Sequence, residues 1–338
     1  MIAWITFTSI GRNEGYSDVA YNIVNNLKKY FEIDHINPII NDRPSSIVFS
    51  NSYKIYIHNN LPTHFDYLDG YNIGFTYWET NSLPNHWVEK MNQMDEIWTT
   101  SRWAKSVFEK SGVTVPVYSF DLGVNPDLYY PSKRHRKPKF TFMSIGSPST
   151  RKNTQMAVSA FCNLFGKNEL YNLVYKSNGM PDARFYHKDG TRSSLYNKPR
   201  INVIDSQLSD LDLSLLYNSV DCVLYPTSGE GWGLLPFQSI AAGIPTICTN
   251  ATGCTEYAEL SVPLDYKWSK INMSGIYENA GEWAEPSFDD LCDKMLYVTK
   301  NYDKVAEHTY KGSLEIAKKF TWQKVIEKYK RRLCRILN

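Results

Sequence analysis

Between residues 226 and 247 the chain reads Pro-Thr-Ser-Gly-Glu-Gly-Trp-Gly-Leu-Leu-Pro-Phe-Gln-Ser-Ile-Ala-Ala-Gly-Ile-Pro-Thr-Ile, its densest grouping of residues able to do chemistry. Glycines at 229, 231 and 233 let backbone approach a bulky ligand and let amides donate to it. Glu230 can accept two hydroxyl hydrogen bonds, as a sugar requires. Gln238, at the start of an expected helix, can bridge vicinal hydroxyls such as those of a ribose. From chemistry alone the loop is either a phosphate loop or a tight turn whose Glu caps a helix. A second grouping is Gly146-Ser-Pro-Ser-Thr-Arg-Lys-Asn153, where Arg151 and Lys152 offer the charge a phosphate needs. Its plainer reading is a solvated pair ahead of a helix. His58 closes a strand-like run, where a histidine is more often a structural hydrogen-bonder than a catalyst. Glu256 lies in a later loop as a ligand contact or a helix N-terminal acid.

Short apolar runs alternate with amphipathic stretches, which predicts parallel sheets covered by helices. Ile2–Phe7, Lys54–His58, Tyr71–Tyr77 and Asp95–Thr100 read as strands. A helix from about Ser17 carries Ala20, Ile23, Val24 and Leu27 on one face, and Ser101 caps another. A second series follows, with strands at Phe140–Ile145, Leu173–Tyr175, Ile201–Ile204, Cys222–Tyr225 and Thr246–Thr249. Its helices start near Thr154, Asp210 and Pro236. Ser287-Phe-Asp-Asp290 opens one further helix, and Trp322–Leu337 forms the last. Residues 131–139 hold five Lys or Arg and two Pro among nine, which marks the expected boundary between domains at 1–132 and 139–338.

With 338 residues the chain exceeds what one core usually supports. Lys and Arg total 37 against 35 Asp and Glu, a formal net charge of +2, which excludes a nucleic-acid coat protein while leaving local basic grooves open. Six cysteines without a C-x-x-C pair point to free thiols in a reducing compartment. The opening Met-Ile-Ala-Trp-Ile-Thr-Phe-Thr lacks a basic leader region and reads as a strand. No apolar run reaches the length of a membrane span, so a soluble, cytoplasmic protein is expected.

The 226–247 stretch resembles the donor-binding signature of retaining, family-4-type glycosyltransferases of the GT-B fold. That pattern is Glu, seven residues, Glu, within E-G-F-G-L-x-x-x-E-A-M-A-x-G-x-P. Here Glu230-Gly-Trp-Gly-Leu234 and Ala242-Gly-Ile-Pro245 match its ends, and Gln238 replaces the second acid. Lys152 matches the lysine of the family's G-R-x-x-x-x-K turn; Ser147 stands where its arginine would be, and Arg151 offers a substitute charge. The Gly11–Gly15 loop, Asp95–Ser101, Gly123–Pro131, Thr249–Glu256 and Gly281–Ser287 fall in the family's order over about 300 residues.

The resemblance implies two Rossmann-like parallel-sheet α/β domains facing a central cleft, the last helix crossing back to the first. It implies retaining, metal-independent transfer from a nucleotide-diphosphate sugar, a UDP- or GDP-sugar, with no prosthetic group. Glu230, Lys152, Arg151 and His58 would act in catalysis. Gly15, Gly146, Gly231, Trp232, Gly233, Leu234, Gln238 and Glu256 would bind the donor. The only Asp-x-Asp, Asp210-Leu-Asp212, opens a helix and reads as a cap rather than a metal site. A glycan or glycolipid precursor is the expected acceptor. Hydroxymethylated phage DNA is the alternative, prompted by the 133–139 run and by Arg184, Lys188, Arg192, Lys198, Arg200, Tyr186 and Tyr196 in the polar 180–200 excursion. A non-catalytic nucleotide-sugar-binding module is the other. Lys324, Lys328, Arg331 and Arg335 share a face of the last helix that suits peripheral membrane contact.

Overall fold

The computed structural model describes residues 1–7, 15–37, 39–40, 43–44, 52–177, 184–186, 192–195, 198–271, 273 and 275–338. Residues 11–14 of the first glycine loop, with Lys188 and Tyr196, lie outside the described residues, as do the side chains of Arg184, Tyr186 and Arg192. The chain forms two compact units. One takes Met1–Gly123, Lys270–Glu282 and Lys319–Asn338; the other takes Val124–Ser269 and Trp283–Lys318.

The first unit is built on six parallel strands, β1 (Ile2–Ile5), β2 (Ile33–Ile36), β3 (Ile55–Asn59), β4 (Tyr71–Phe75), β5 (Glu96–Thr99) and β6 (Val117–Ser119), in the order β2-β1-β3-β4-β5-β6. β1 and β3 are buried along their whole length, as suits isoleucine-rich strands covered on both faces. Helix α1 (Gly15–Leu27) buries Val19, Ala20, Ile23, Val24 and Leu27. Helix α2 (Asn85–Met91) buries only Trp87 and Met91, too short a stripe to announce itself in the sequence. In α3 (Arg102–Lys110) the Ser101 side chain accepts the Ala104 N–H, as an N-cap does. Trp78, three residues past β4, is core: it is 1% exposed, its ring lies 4.5 Å from that of Trp87, and its Nε1 donates to the Ser82 carbonyl.

The last helix (Trp322–Leu337) belongs to this unit through Val325, Ile326, Tyr329 and Leu333. Tyr329 stacks on Phe120, with centroids 4.5 Å apart, and meets the edge of Trp98. Beside it Arg332 forms a two-point ion pair with Glu96, a β5 carboxylate with no solvent exposure. Trp98 Nε1 donates to the same carboxylate at 2.6 Å and Tyr71 Oη at 3.0 Å. A buried charge is tolerable only when so fully matched.

The second unit has its own six parallel strands, β7 (Phe140–Ile145), β8 (Tyr171–Lys176), β9 (Ile201–Ile204), β10 (Cys222–Tyr225), β11 (Thr246–Thr249) and β12 (Val262–Leu264), in the order β9-β8-β7-β10-β11-β12. Helices α4 (Thr154–Phe165), α5 (Asp210–Ser219), α6 (Leu234–Ala241), α7 (Phe288–Lys300) and α8 (Tyr302–Lys319) accompany them. One sheet face, through Phe142, Tyr175 and Leu224, joins Phe161 of α4 and Met295 of α7 in a single core. Helix α8 was not legible in the sequence because Ala306, Thr309, Gly312 and Ser313 are on its buried side, too small and polar to make an apolar stripe. Helix α6 starts at Leu234 rather than Pro236, with Gly233 at φ 86° as its N-cap. Pro236 still sits in the first turn, where its missing N–H has no intrahelical role. Ser209 caps α5 by accepting the Asp212 N–H, which places Asp210 and Asp212 in a helical first turn.

The basic run is tied to the second unit by its cations, although Lys133, Arg136, Lys137 and Lys139 stay exposed. Arg134 donates to the Asn218 carbonyl (3.2 Å), to the Asn218 side chain and to the Ala242 carbonyl (3.3 Å). Arg136 donates to the Thr299 carbonyl, and Lys137 to that of Ser219, with Asp221 3.6 Å from its ammonium. Lys133 lies over the Tyr310 ring. Three helices, α5, α6 and α7, thus have C-terminal carbonyls met by cations, where both the unsatisfied acceptors and the dipole favour positive charge. The segment therefore belongs to the second unit, which begins at Val124, ahead of the composition change. Tyr129 is buried there against Tyr217.

Candidate active site

In the second sheet the chain runs from β7 through α4 to β8 on one side, and from β10 through α6 to β11 on the other. Order reverses between β7 and β10, and at such a switch point the loops leaving the strands part and open a place for a ligand. Those loops are 146–153 and 226–233, the two groupings that stood out in the sequence. They are stitched together: Ser228 N–H donates to the Arg151 carbonyl (2.7 Å) and Asn153 Nδ2 to Ser228 Oγ (2.7 Å). Gly146, at φ 136°, opens the first loop. Ser149 caps the short 3-10 turn Thr150–Lys152, and Asn153 takes a left-handed conformation before α4.

Glu230 is the centre of the arrangement, 7% exposed. Its Oε1 accepts from Lys152 Nζ at 2.6 Å, Thr227 Oγ1 at 2.9 Å and Tyr225 Oη at 3.0 Å, and Arg151 Nη1 stands 3.3 Å away. Lys152 also donates to Tyr225 Oη, and Arg151 to the Gly229 carbonyl. All these bonds fall on Oε1, so Oε2 has no hydrogen bond among the described residues. Burial pushes this carboxyl up. The Lys152 ammonium, the Arg151 guanidinium and the hydrogen bonds from Lys152 and Thr227 outweigh that effect and bring it down to about 2. One carboxylate against two cations leaves the cluster net positive. The depressed folded-state value makes a stability contribution that is complete above pH ~4.5 and lost as pH falls toward ~2. Urea midpoints between about pH 6 and pH 3 will therefore fall less steeply in Glu230→Gln than in the parent chain.

A third loop supports the second. Thr252 Oγ1 accepts the Glu230 N–H at 2.9 Å, and Gly253 N–H donates to the Glu230 carbonyl at 2.8 Å. A Cβ on Gly253 would stand 2.3 Å from the Gly231 carbonyl, and one on Gly233 2.5 Å from Tyr257 Oη. Tyr257 Oη itself contacts the carbonyls of Trp232 and Gly233. We expect Gly253→Ala to push the 229–233 loop outward and to cost about 1–3 kcal/mol, read as a lowered unfolding midpoint.

Of the remaining sequence candidates, Gly231 and Trp232 are buried in the loop, and Leu234 is half-buried at the start of α6. Gln238 is on α6, and its Oε1 is buried with no hydrogen-bond partner among the described residues. Glu256 ends the 3-10 turn Thr252–Glu256, half-buried. His58 and Gly15 belong to the first unit. Gly15 is the first residue of α1. His58 is 1% exposed, with Nε2 3.1 Å from Asn72 Oδ1, and burial lowers its basicity against smaller opposing effects of Asn72 and Asp66. Tyr225, Thr227 and Thr252 were not singled out in the sequence. Thr227 stands three residues before Glu230, a capping-box spacing that could have flagged it; Thr252 is contributed from too far along the chain to leave a local signal. Among the described residues no group of three or more His, Cys, Asp or Glu is placed to hold a metal ion, and no helix is long and apolar enough to cross a membrane.

A family profile described as Family 4 Glycosyltransferase in conflict systems matches residues 99–328. The chain belongs to that family. A protein of Sulfolobus islandicus filamentous virus, provisionally named glycosyltransferase 45, is 21% identical over 317 residues, 88% of this chain and 82% of that one. Among solved structures, sucrose-phosphate synthase of Thermosynechococcus elongatus superposes with a TM-score of 0.72 at 11% identity, over 99% of this chain and 98% of that chain. HepE of Anabaena, solved with UDP and glucose, gives 0.66 at 10% identity over 98% and 99%. The fold of this family 4 glycosyltransferase is GT-B, with a six-stranded parallel sheet in each unit.

Proposed function

We propose that this glycosyltransferase moves a sugar from a nucleotide-diphosphate donor, a UDP- or GDP-sugar, to a hydroxyl of a glycan or glycolipid precursor, with retention at the anomeric carbon and without a metal ion. The observation that carries the reading is the division of labour on Glu230: Oε1 is pinned by four donor groups while Oε2 has no partner among the described residues. A carboxylate so held can present Oε2 to sugar hydroxyls without moving, and its ionisation persists through the working pH range. Arg151 and Lys152 beside it supply positive charge where a diphosphate leaves. As the bond to the anomeric carbon stretches, negative charge grows on the diphosphate and the sugar becomes oxocarbenium-like. Fixed charges and dipoles aimed at that growth lower the barrier without reorganising. The acceptor hydroxyl would enter on the face the diphosphate leaves, so no protein nucleophile is required.

The UDP and glucose bound by HepE, a protein of the same fold, support a UDP-sugar as the first donor to try. The cations at 134–137 go to helix carbonyls, so they lend no support to a DNA acceptor. His58, turned onto Asn72, is given no chemical step. The test is to incubate the protein with UDP-glucose, UDP-GlcNAc and GDP-mannose, each with a panel of glycoside and glycolipid acceptors carrying free hydroxyls, and to follow free nucleotide diphosphate and the anomeric configuration of the product by NMR, with and without EDTA. Release of nucleotide with an α-linked product in EDTA is expected. An inverted product, or turnover abolished by EDTA and restored by a divalent ion, would overturn the reading.

A further inference from the structure

Beyond β12 the chain forms a two-stranded ribbon, β13 (Tyr266–Lys270) and β14 (Glu282–Pro286), of which residues 266–269 and 283–286 belong to the second unit. A two-stranded ribbon alone is marginal in water, so the rest of the fold must hold one of its strands. That strand is β14. Trp283, Ala284 and Pro286 are buried, and Ala284 N–H donates to the Ser228 carbonyl at 2.9 Å. Ser228 stands two residues before Glu230, and its own N–H bonds the Arg151 carbonyl, so the ribbon is fixed where the two loops of the Glu230 cluster meet. Strand β13 lies outside β14. Four of its five residues are exposed, so core packing does not account for its aromatic side chains. Tyr266 and Trp268, two apart, share one face of the strand. Their rings lie 5.4 Å apart, edge to face, and the two residues keep 37% and 38% exposure. Ser287 N–H donates to the Asp265 carbonyl at 2.9 Å, and Lys267 Nζ stands 3.7 Å from Glu285. These two pairs run the strands antiparallel and bring Trp268 level with Ala284. Two strand spacings, about 10 Å, therefore separate the backbone of Trp268 from that of Ser228.

We propose that Tyr266 and Trp268 form a stacking platform for the acceptor, and that this acceptor is an oligosaccharide held by units beyond the one that receives the sugar. The inference rests on the glycan acceptor proposed above. A sugar ring has an apolar C–H face, and polarised C–H bonds are drawn to the negative face of an aromatic ring. Its hydroxyls need donors and acceptors at the rim, which Lys267, Asp265 and Glu285 offer. Tyr and Trp supply large contact areas at small cost in side-chain entropy, having only two χ angles each. Charge chooses between occupants. Lys267, Lys270 and Lys294 on and beside the ribbon are balanced by Asp265, Glu285 and Asp290. Nucleic acid and anionic lipid both require a surplus of positive charge, whereas a neutral polyol does not. The short step from Trp268 to the Glu230 loop lets one saccharide chain reach both.

The test is transfer by the full chain, from the donors named above, to mono-, di- and tetrasaccharides of glucose, GlcNAc and mannose, with UDP and GDP binding measured by calorimetry. Acceptor KM should fall with chain length. Trp268→Ala should raise KM for the tetrasaccharide at least about tenfold, the scale of one aromatic contact. Its KM for the monosaccharide, its kcat and its nucleotide binding should stay within about twofold of the parent. Trp268→Phe should retain most of the affinity, and Tyr266→Ala serves as the second variant if Trp268→Ala does not fold. An unchanged tetrasaccharide KM in a folded Trp268→Ala, or an equal rise for mono- and tetrasaccharide, overturns the platform while the glycan reading stands. Retention of the parent chain on phosphatidylglycerol vesicles that is lost in Trp268→Ala makes the pair a bilayer contact and overturns it too. Nucleotide binding with transfer to none of these saccharides overturns the glycan acceptor and this inference with it. Absence of nucleotide binding overturns the donor reading itself.

Discussion

Replacing Glu230 with Gln is expected to lower turnover by about 10²–10³-fold, the scale seen when one preorganised electrostatic contact to a transition state is removed. The substitution keeps shape and removes charge. Oε1 of the amide can still accept from Thr227 and Tyr225, but Oε2 becomes an NH2 group that can no longer accept from sugar hydroxyls. Lys152 and Arg151 lose their counter-ion while most of each side chain remains covered, 16% and 19% exposed. That loss should lower stability by about 3 kcal/mol, at the lower end for breaking a buried pair because both cations still touch solvent. The two effects separate experimentally: turnover is measured well below the variant's unfolding midpoint, and donor KM is compared with kcat. A folded Glu230→Gln with full turnover would remove Glu230 from the site.

The second large effect lies in the other unit. Glu96→Ala should destabilise the first unit by about 3–5 kcal/mol, because Arg332 is then left over the Tyr118 ring without its carboxylate while Trp98 Nε1 and Tyr71 Oη lose their acceptor. Trp98 donates directly to Glu96, so its fluorescence during urea unfolding reports on this unit. Replacing both partners by methionine should recover most of the loss, since two charges no longer have to be desolvated. A shift below about 1 kcal/mol in Glu96→Ala would mean that aromatic packing around Tyr329 alone holds the last helix.

Both sheets were legible in the sequence wherever a strand is wholly buried, because runs such as Ile-Ala-Trp-Ile and Cys-Val-Leu-Tyr leave little choice of structure. Helices with large apolar residues at 3.6-residue spacing were legible too. What escaped were α2 and α8, whose buried sides are too short or too small, and the edge strands β2, β6 and β12, only three or four residues long. The composition change at 131–139 marked an unusual, largely exposed segment but not the contacts its cations make. Charge on a linear sequence does not say whether it faces water or a helix end, and here Arg134, Arg136 and Lys137 meet carbonyls contributed by residues about 80 to 160 positions away.

The site divides in the same way. By itself the sequence determined the glycine loop with Glu230, the Arg151–Lys152 turn and the substitution of Gln238 for an acid, since these are local patterns of residue type and spacing. Only the tertiary structure decided which of them meet. The strand order brings loops 146–153 and 226–233 to one switch point, where Glu230 becomes a carboxylate with one oxygen saturated and the other without a partner among the described residues. The same packing turned His58 inward onto Asn72. Such pairings depend on the order and register of strands far apart in the chain, which a local pattern of residues does not contain.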